Sequence, residues 1–190
     1  MNTPNKLTIS RMLITPIFLA VILWNTPHRF LFAVIVFSIA AITDTIDGKL
    51  ARKRNEITVF GKLLDPVADK MLTTAALLAF MHLGWCSVWI VFIVLTREFI
   101  VTSIRLIALS QGVVIPANIW GKLKTVSQMT FTIVIMLLAE LDKTFDLFGK
   151  TISIEFSLLS NLLLGITAFL ASVSGVIYIL QSRKSIDYSK

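Results

Sequence analysis

Six apolar stretches, each able to supply the ~20 residues that cross a hydrocarbon layer, fill almost the whole chain. They run over 7–24, 29–54, 61–82, 85–109, 119–141 and 156–182, with short connections between them. A soluble domain could not hide so much apolar surface inside one core. Of the 190 residues, 56% are hydrophobic and only 15% charged, where a soluble domain usually carries about 25% charge. Mean hydropathy is +0.83. No Gly/Ser/Pro-rich linker, repeat or low-complexity segment interrupts the pattern. The expectation is an all-α integral membrane bundle of six transmembrane helices, forming a single domain over 1–190.

Basic residues orient that bundle. Lys6 and Arg11 stand at the start, Arg52, Lys53, Arg54 and Lys62 between the second and third stretches, Arg105, Lys122 and Lys124 around the fourth connection, and Arg183, Lys184 and Lys190 at the end. The alternate connections are poorer: His82-Leu83-Gly84 has no Lys or Arg, and 140–155 holds Glu140, Asp142, Asp146 and Glu155 against Lys143 and Lys150. The positive-inside rule then places both termini in the cytosol. Arg29 is the exception. The net charge of +7 would suggest nucleic acid in a soluble protein. Here the cations flank apolar spans, so membrane lipid head groups and phosphorylated substrates are the expected partners, and nucleic acid is not. Lys6 and Arg11 before the run 12–24 imitate a signal peptide, but no small-residue cleavage pattern follows. The single cysteine, Cys86, has no intramolecular disulfide partner and reads as a small hydrophobe near a span end. His28 and His82 are far apart and give no basis for a histidine site.

Four aspartates lie within 26 residues: Asp44, Asp47, Asp65 and Asp69. The first two directly follow an apolar run and the last two directly precede another, where ionised carboxylates are costly and signal function. Asp44, Asp47, Gly48 and Ala51 share one helix face by spacing; so do Gly61, Asp65 and Asp69. An antiparallel pairing of the two helices would bring four carboxylates together. Each close pair would repel by about 4 kcal/mol at intermediate dielectric, so protons or cations must relieve the cluster. An all-oxygen donor set suits Mg²⁺, Mn²⁺ or Ca²⁺, and four carboxylates are enough for two ions bridging a phosphate. Gly48, Ala51 and Gly61 serve tight helix packing and a smooth floor under a nucleotide equally well, and spacing does not choose between these. Arg52 is open in the same way: a snorkelling cation, or a contact to an anionic substrate group.

Asp44-Thr-Ile-Asp47-Gly48-Lys-Leu-Ala51-Arg52, eight residues, then Gly61-Lys-Leu-Leu-Asp65-Pro-Val-Ala-Asp69 resembles the signature of the CDP-alcohol phosphotransferase family, D-x2-D-G-x2-A-R followed by G-x3-D-x3-D. All eight defined positions match. The resemblance implies cleavage of a CDP-linked donor, transfer of its phosphoryl-alcohol part to an acceptor hydroxyl, and release of CMP. It implies that Asp44, Asp47, Asp65 and Asp69 hold metal, with two Mg²⁺ or Mn²⁺ ions as cofactor, and that Asp69 is the general base. Asp47, Gly48, Ala51, Arg52 and Gly61 would line the CDP pocket. It further implies a homodimer.

The acceptor is read from cations outside that signature. Arg97 and Arg105 are eight residues apart on nearly one face of the fourth stretch, and Lys122 and Lys124 open the fifth. Such a concentration of cations beside a metal site suits a phosphate-bearing acceptor. Positive-inside flanking explains the two lysines readily but not Arg97, which follows Leu95-Thr96 inside an apolar run. Glu98 is placed to orient a neighbouring cation. The segments 5–11, Thr96-Arg97-Glu98 and 121–125, with Pro66 and Lys70, resemble the bacterial phosphatidylglycerophosphate-forming branch of the family. That branch implies CDP-diacylglycerol and sn-glycerol 3-phosphate as substrates, with Asn5 and Thr8 near the nucleotide. The competing readings are a family enzyme with another acceptor, a cation transporter, and a non-catalytic scaffold. A transporter would place its carboxylates near mid-membrane beside broken spans; here they cluster at span ends.

Overall fold

The structure, a computed structural model, describes residues 3–54, 59–113, 118–145 and 153–183; the side chains of 3–8, 44–54, 59–66, 69, 153 and 154 lie outside the described set. Six helices and no strand occur among the described residues: α1 (Thr3–Leu23), α2 (Arg29–Arg54), α3 (Val59–His82), α4 (Val88–Ser110), α5 (Ile119–Phe145) and α6 (Ser153–Ser182). Each corresponds to one apolar stretch. The boundaries of α4 have local causes. Gly84, at φ 78, turns the chain where a side chain would be strained. The Ser87 hydroxyl then accepts the Trp89 N–H, so α4 begins at Val88 rather than Trp85. At its other end Val113 N–H reaches Ala108 O at 2.8 Å and Gly112 N–H reaches Leu109 O at 3.1 Å, with Gly112 at φ 73. This is a Schellman closure, which satisfies carbonyls that the helix itself leaves open. α5 runs on to Phe145, four residues past the expected end, carrying Glu140 and Lys143 with it.

The helices are apolar inside and out. Phe18, Ile22, Phe37, Leu77, Phe80, Ile135, Met136 and Leu164 form the fully buried core, and Ala33, Ala75, Ala76, Ala79, Ala168 and Ala171 let the backbones approach. Phe32, Ile39, Trp89, Phe92, Phe99, Leu158, Phe169 and Leu180 point outward. An outer surface this apolar belongs against lipid. Two helices, Ile119–Phe145 and Glu155–Ser182, are long and apolar enough to cross a membrane. α4 carries Arg97, Glu98 and Arg105 within its length.

α1 packs against α2 and α3, α2 also against α5, and α6 against both α4 and α5. One end of this assembly is tied shut. Trp85 packs against Phe30, Phe80 and Phe156 at ring-centroid distances of 5.1, 6.0 and 4.9 Å. The Ser157 hydroxyl donates to Gly84 O at 2.8 Å, and Ser87 N–H donates to Asn161 Oδ1 at 2.7 Å. His28 Nδ1 meets Glu140 Oε1 at 2.6 Å and Lys143 Nζ donates to Thr26 O at 2.9 Å. Arg29, the outlier in the charge pattern, lays its guanidinium 4.5 Å over the Phe30 ring at this same end. Cys86 is buried here as well.

Candidate functional site

The four aspartates occupy the last three turns of α2 and the second and third turns of α3. These two helix ends are consecutive in the chain, separated by 55–58. The side chains of Asp44, Asp47, Asp65 and Asp69, and of Gly48, Ala51, Arg52 and Gly61 beside them, lie outside the described set, as do those of Asn5 and Thr8. The donor set that these positions supply is carboxylate oxygen alone, which fits a hard divalent cation and not a thiophilic one. Among the described residues no group of three or more His, Cys, Asp or Glu side chains occurs.

Lys70, the residue after Asp69, opens a described cavity of about 560 Å³ between α3, α4, α5 and α6. Arg97, Arg105, Lys122 and Lys124 all line it. The cations singled out from the sequence are therefore brought to one place, with Lys70, the residue after Asp69 in the chain, in its wall. Glu98 is the carboxylate among them. It accepts Lys124 Nζ at 2.6 Å and Arg97 Nη1 at 2.9 Å, with Lys70 Nζ at 4.0 Å. Lys124 is 3% exposed; burying an ammonium requires such a partner. Among the described residues no carboxylate pairs with Arg105 or Lys122. Arg97, Arg105, Lys122 and Lys124 thus share the cavity with Glu98 as the one carboxylate among its described lining residues, and cations so grouped recruit an anion.

Several residues in or behind the cavity wall are not among those singled out from the sequence. Ser174, 1% exposed, accepts Arg97 Nε at 3.0 Å from across the bundle. Tyr178, one turn further along α6, lines the cavity, and its hydroxyl is enclosed without a hydrogen-bond partner among the described residues. Asn118 lines the cavity too; its Oδ1 accepts Gly121 N–H at 3.1 Å while its Nδ2 is enclosed and unpartnered among the described residues. The available signal was a serine and a tyrosine at i, i+4 on an otherwise apolar helix, since buried polar groups in a span need partners.

A second cavity, about 570 Å³, lies between α1, α3 and α4 and is mostly apolar, with Leu19, Met71, Leu78, Leu95 and Phe99 in its walls. Lys70, Glu98 and Thr102 line both cavities. A polar, cation-rich chamber thus adjoins an apolar one along the same helix pair, as a ligand with a charged head and a hydrocarbon tail would require.

Comparison with known proteins agrees with this chemistry. The chain is 33% identical over 183 residues to the CDP-diacylglycerol–glycerol-3-phosphate 3-phosphatidyltransferase of Rickettsia bellii, covering 96% of both chains. It is 41% identical over 140 residues to the protein of the same name from Bacillus subtilis, covering 67% of this chain and 72% of that one. It is also 41% identical over 130 residues to a probable phosphatidylglycerophosphate synthase of Mycobacterium tuberculosis, 67% of this chain and 62% of the relative. A family model described as CDP-alcohol phosphatidyltransferase matches residues 1–173, and the chain belongs to that family.

Proposed function

We propose that this protein transfers the phosphatidyl group of CDP-diacylglycerol to sn-glycerol 3-phosphate, producing phosphatidylglycerophosphate and CMP. The observation that carries the proposal is the cation-lined cavity with Lys70, the residue after Asp69 in the chain, in its wall. A neutral or zwitterionic acceptor has no use for Arg105 and Lys122 there, whereas a phosphate monoester pairs with both. The full-length likeness to relatives bearing that name supports the same acceptor.

The roles of the residues follow from their chemistry. Asp69 is the general base: it takes the proton of the acceptor hydroxyl while that oxygen bonds to the phosphorus bearing the diacylglycerol. The bond from this phosphorus to the bridging oxygen breaks, and CMP leaves. Arg97, Arg105, Lys122 and Lys124 hold the acceptor's phosphate, with Arg105 and Lys122 supplying charge that Glu98 does not offset. Gly48, Ala51 and Gly61 form the floor under the nucleotide, Arg52 meets its phosphates, and Asn5 and Thr8 approach the cytidine. The family generally uses divalent metal ions; here Asp44, Asp47, Asp65 and Asp69 would hold two, Mg²⁺ or Mn²⁺, whose positive charge polarises the donor diphosphate. The apolar cavity beside Lys70 and Thr102 suits an acyl chain of the donor.

The protein is a membrane protein by its apolar exterior and its relatives. We place all six helices across the bilayer, both termini and the active site on the cytosolic side of a bacterial cell membrane, and the whole of 1–190 in one domain that pairs as a homodimer. The positive-inside pattern supports this orientation. The test of function is a purified-enzyme assay with labelled CDP-diacylglycerol and Mg²⁺ or Mn²⁺. CMP and a phosphatidylglycerophosphate product are expected with sn-glycerol 3-phosphate; product only with serine or inositol phosphate would replace the acceptor, and no CMP with any acceptor would remove the transferase reading.

A further inference from the structure

Arg97 is an arginine in mid-helix that crosses a gap between two other helices. A Cβ placed on Gly175 of α6 would stand 3.2 Å from Arg97 Cγ, and one placed on Gly121 of α5 would stand 3.0 Å from Arg97 Nη2. Both approaches are tighter than side chains normally tolerate. Gly165, on α6 as well, has nothing within 4 Å of an added Cβ, so closeness at Gly175 is specific to this contact. Along the same side chain, Nε donates to Ser174 Oγ at 3.0 Å and Nη1 donates to Glu98 Oε1 at 2.9 Å. The Ser174 hydroxyl itself donates to Ala171 O at 3.0 Å, which turns a lone pair toward Nε. The stem, Nε, Nη1 and Nη2 are each constrained, by residues from three helices.

We infer that Gly121, Ser174 and Gly175 are positioning residues: they form a slot that fixes the plane of the Arg97 guanidinium and thereby sets affinity for the phosphate of the acceptor. A guanidinium binds a phosphate through two parallel N–H groups only when its plane is correctly turned. Arg97 has five N–H donors; two go to Ser174 and Glu98, and the remaining three are available along the cavity that Arg97 lines. Without the slot the same charge would be present at the wrong angle. The inference rests on the proposed phosphate-bearing acceptor, and it adds residues on two helices that the family signature does not include.

The test measures KM for sn-glycerol 3-phosphate and for CDP-diacylglycerol separately, in wild type, Gly121→Ala, Gly175→Ala and Ser174→Ala, and then in Gly121→Ala and Ser174→Ala made on an Arg97→Lys background. Each single variant is expected to raise the acceptor KM roughly tenfold, the size of one lost charge-assisted hydrogen bond, with the donor KM within about twofold. Lysine has neither Nε–H nor Nη2, so on the Arg97→Lys background the further effect of either substitution should vanish; a general packing defect would persist there. Ser174→Ala removes one oxygen without adding bulk, and keeps the test open if a glycine variant does not fold. An unchanged acceptor KM in Ser174→Ala and Gly121→Ala, or an effect undiminished on the lysine background, overturns the slot. Wild-type enzyme that forms no product from sn-glycerol 3-phosphate overturns the acceptor reading instead, and the slot with it.

Discussion

The two ends of the bundle use polar residues in opposite ways. At the end holding Trp85, polar groups pair across helices and turns: Ser157 to Gly84 O, Ser87 N–H to Asn161, His28 to Glu140, Lys143 to Thr26 O. Aromatic rings fill the space between them. At the other end, cations outnumber carboxylates among the described residues lining the cavity. Glu98 is shared by Lys124 and Arg97, and Arg105 and Lys122 face the cavity without a described carboxylate. A satisfied polar network rigidifies, while an unbalanced one stores affinity for whatever completes it. The first end is built to hold helices; the second is built to hold a ligand.

Substitutions can break or sharpen that contrast. The largest effect is expected for Asp69→Asn, which removes the proposed base while keeping the side chain's size. CMP release should fall by about 10³-fold, within the usual range for general base catalysis, with binding of CDP-diacylglycerol largely spared; equal loss of both would make Asp69 a binding residue only. Trp85→Ala, at the closed end, should cost about 3–5 kcal/mol of stability, read as an earlier thermal unfolding in detergent. The KM values of the folded fraction should not move, and a shift in either would mean that the ends are coupled.

Arg97→Ala comes next. It should weaken sn-glycerol 3-phosphate by about 1.5–3 kcal/mol, the worth of a hydrogen bond to a charged group, and leave the donor KM nearly unchanged. Equal weakening of donor and acceptor would contradict an acceptor chamber. The smallest effect belongs to Glu140→Ala, which removes the carboxylate held by His28 and by Leu31 N–H. A stability loss of about 1–2 kcal/mol is expected, with both KM values intact, measured by thermal unfolding alongside the transfer assay.

Much of the fold was legible because the information was local. Six apolar stretches became six helices in the same order. The candidate site was legible in part. Arg97, Arg105, Lys122 and Lys124 were named from charge in an apolar setting and do share a cavity. The reading stopped short at the partners. Ser174 and Gly175 look like ordinary small residues of an apolar span, and nothing near them in the chain announces an arginine 77 residues earlier. Lys124 was named with the acceptor-phosphate cations, but its burial on Glu98 was not foreseen.

From the chain alone come the membrane setting, the number of helices among the described residues, the placing of four aspartates in the consecutive ends of α2 and α3, and the family signature that they belong to. All of these depend on hydropathy over ~20 residues or on helical spacing over a few turns. The tertiary structure decided which cations are offset and which stay exposed to the cavity, and how Arg97 is held. Those outcomes depend on the distance between atoms on different helices, and a Coulomb or hydrogen-bond energy is set by that distance rather than by separation along the chain.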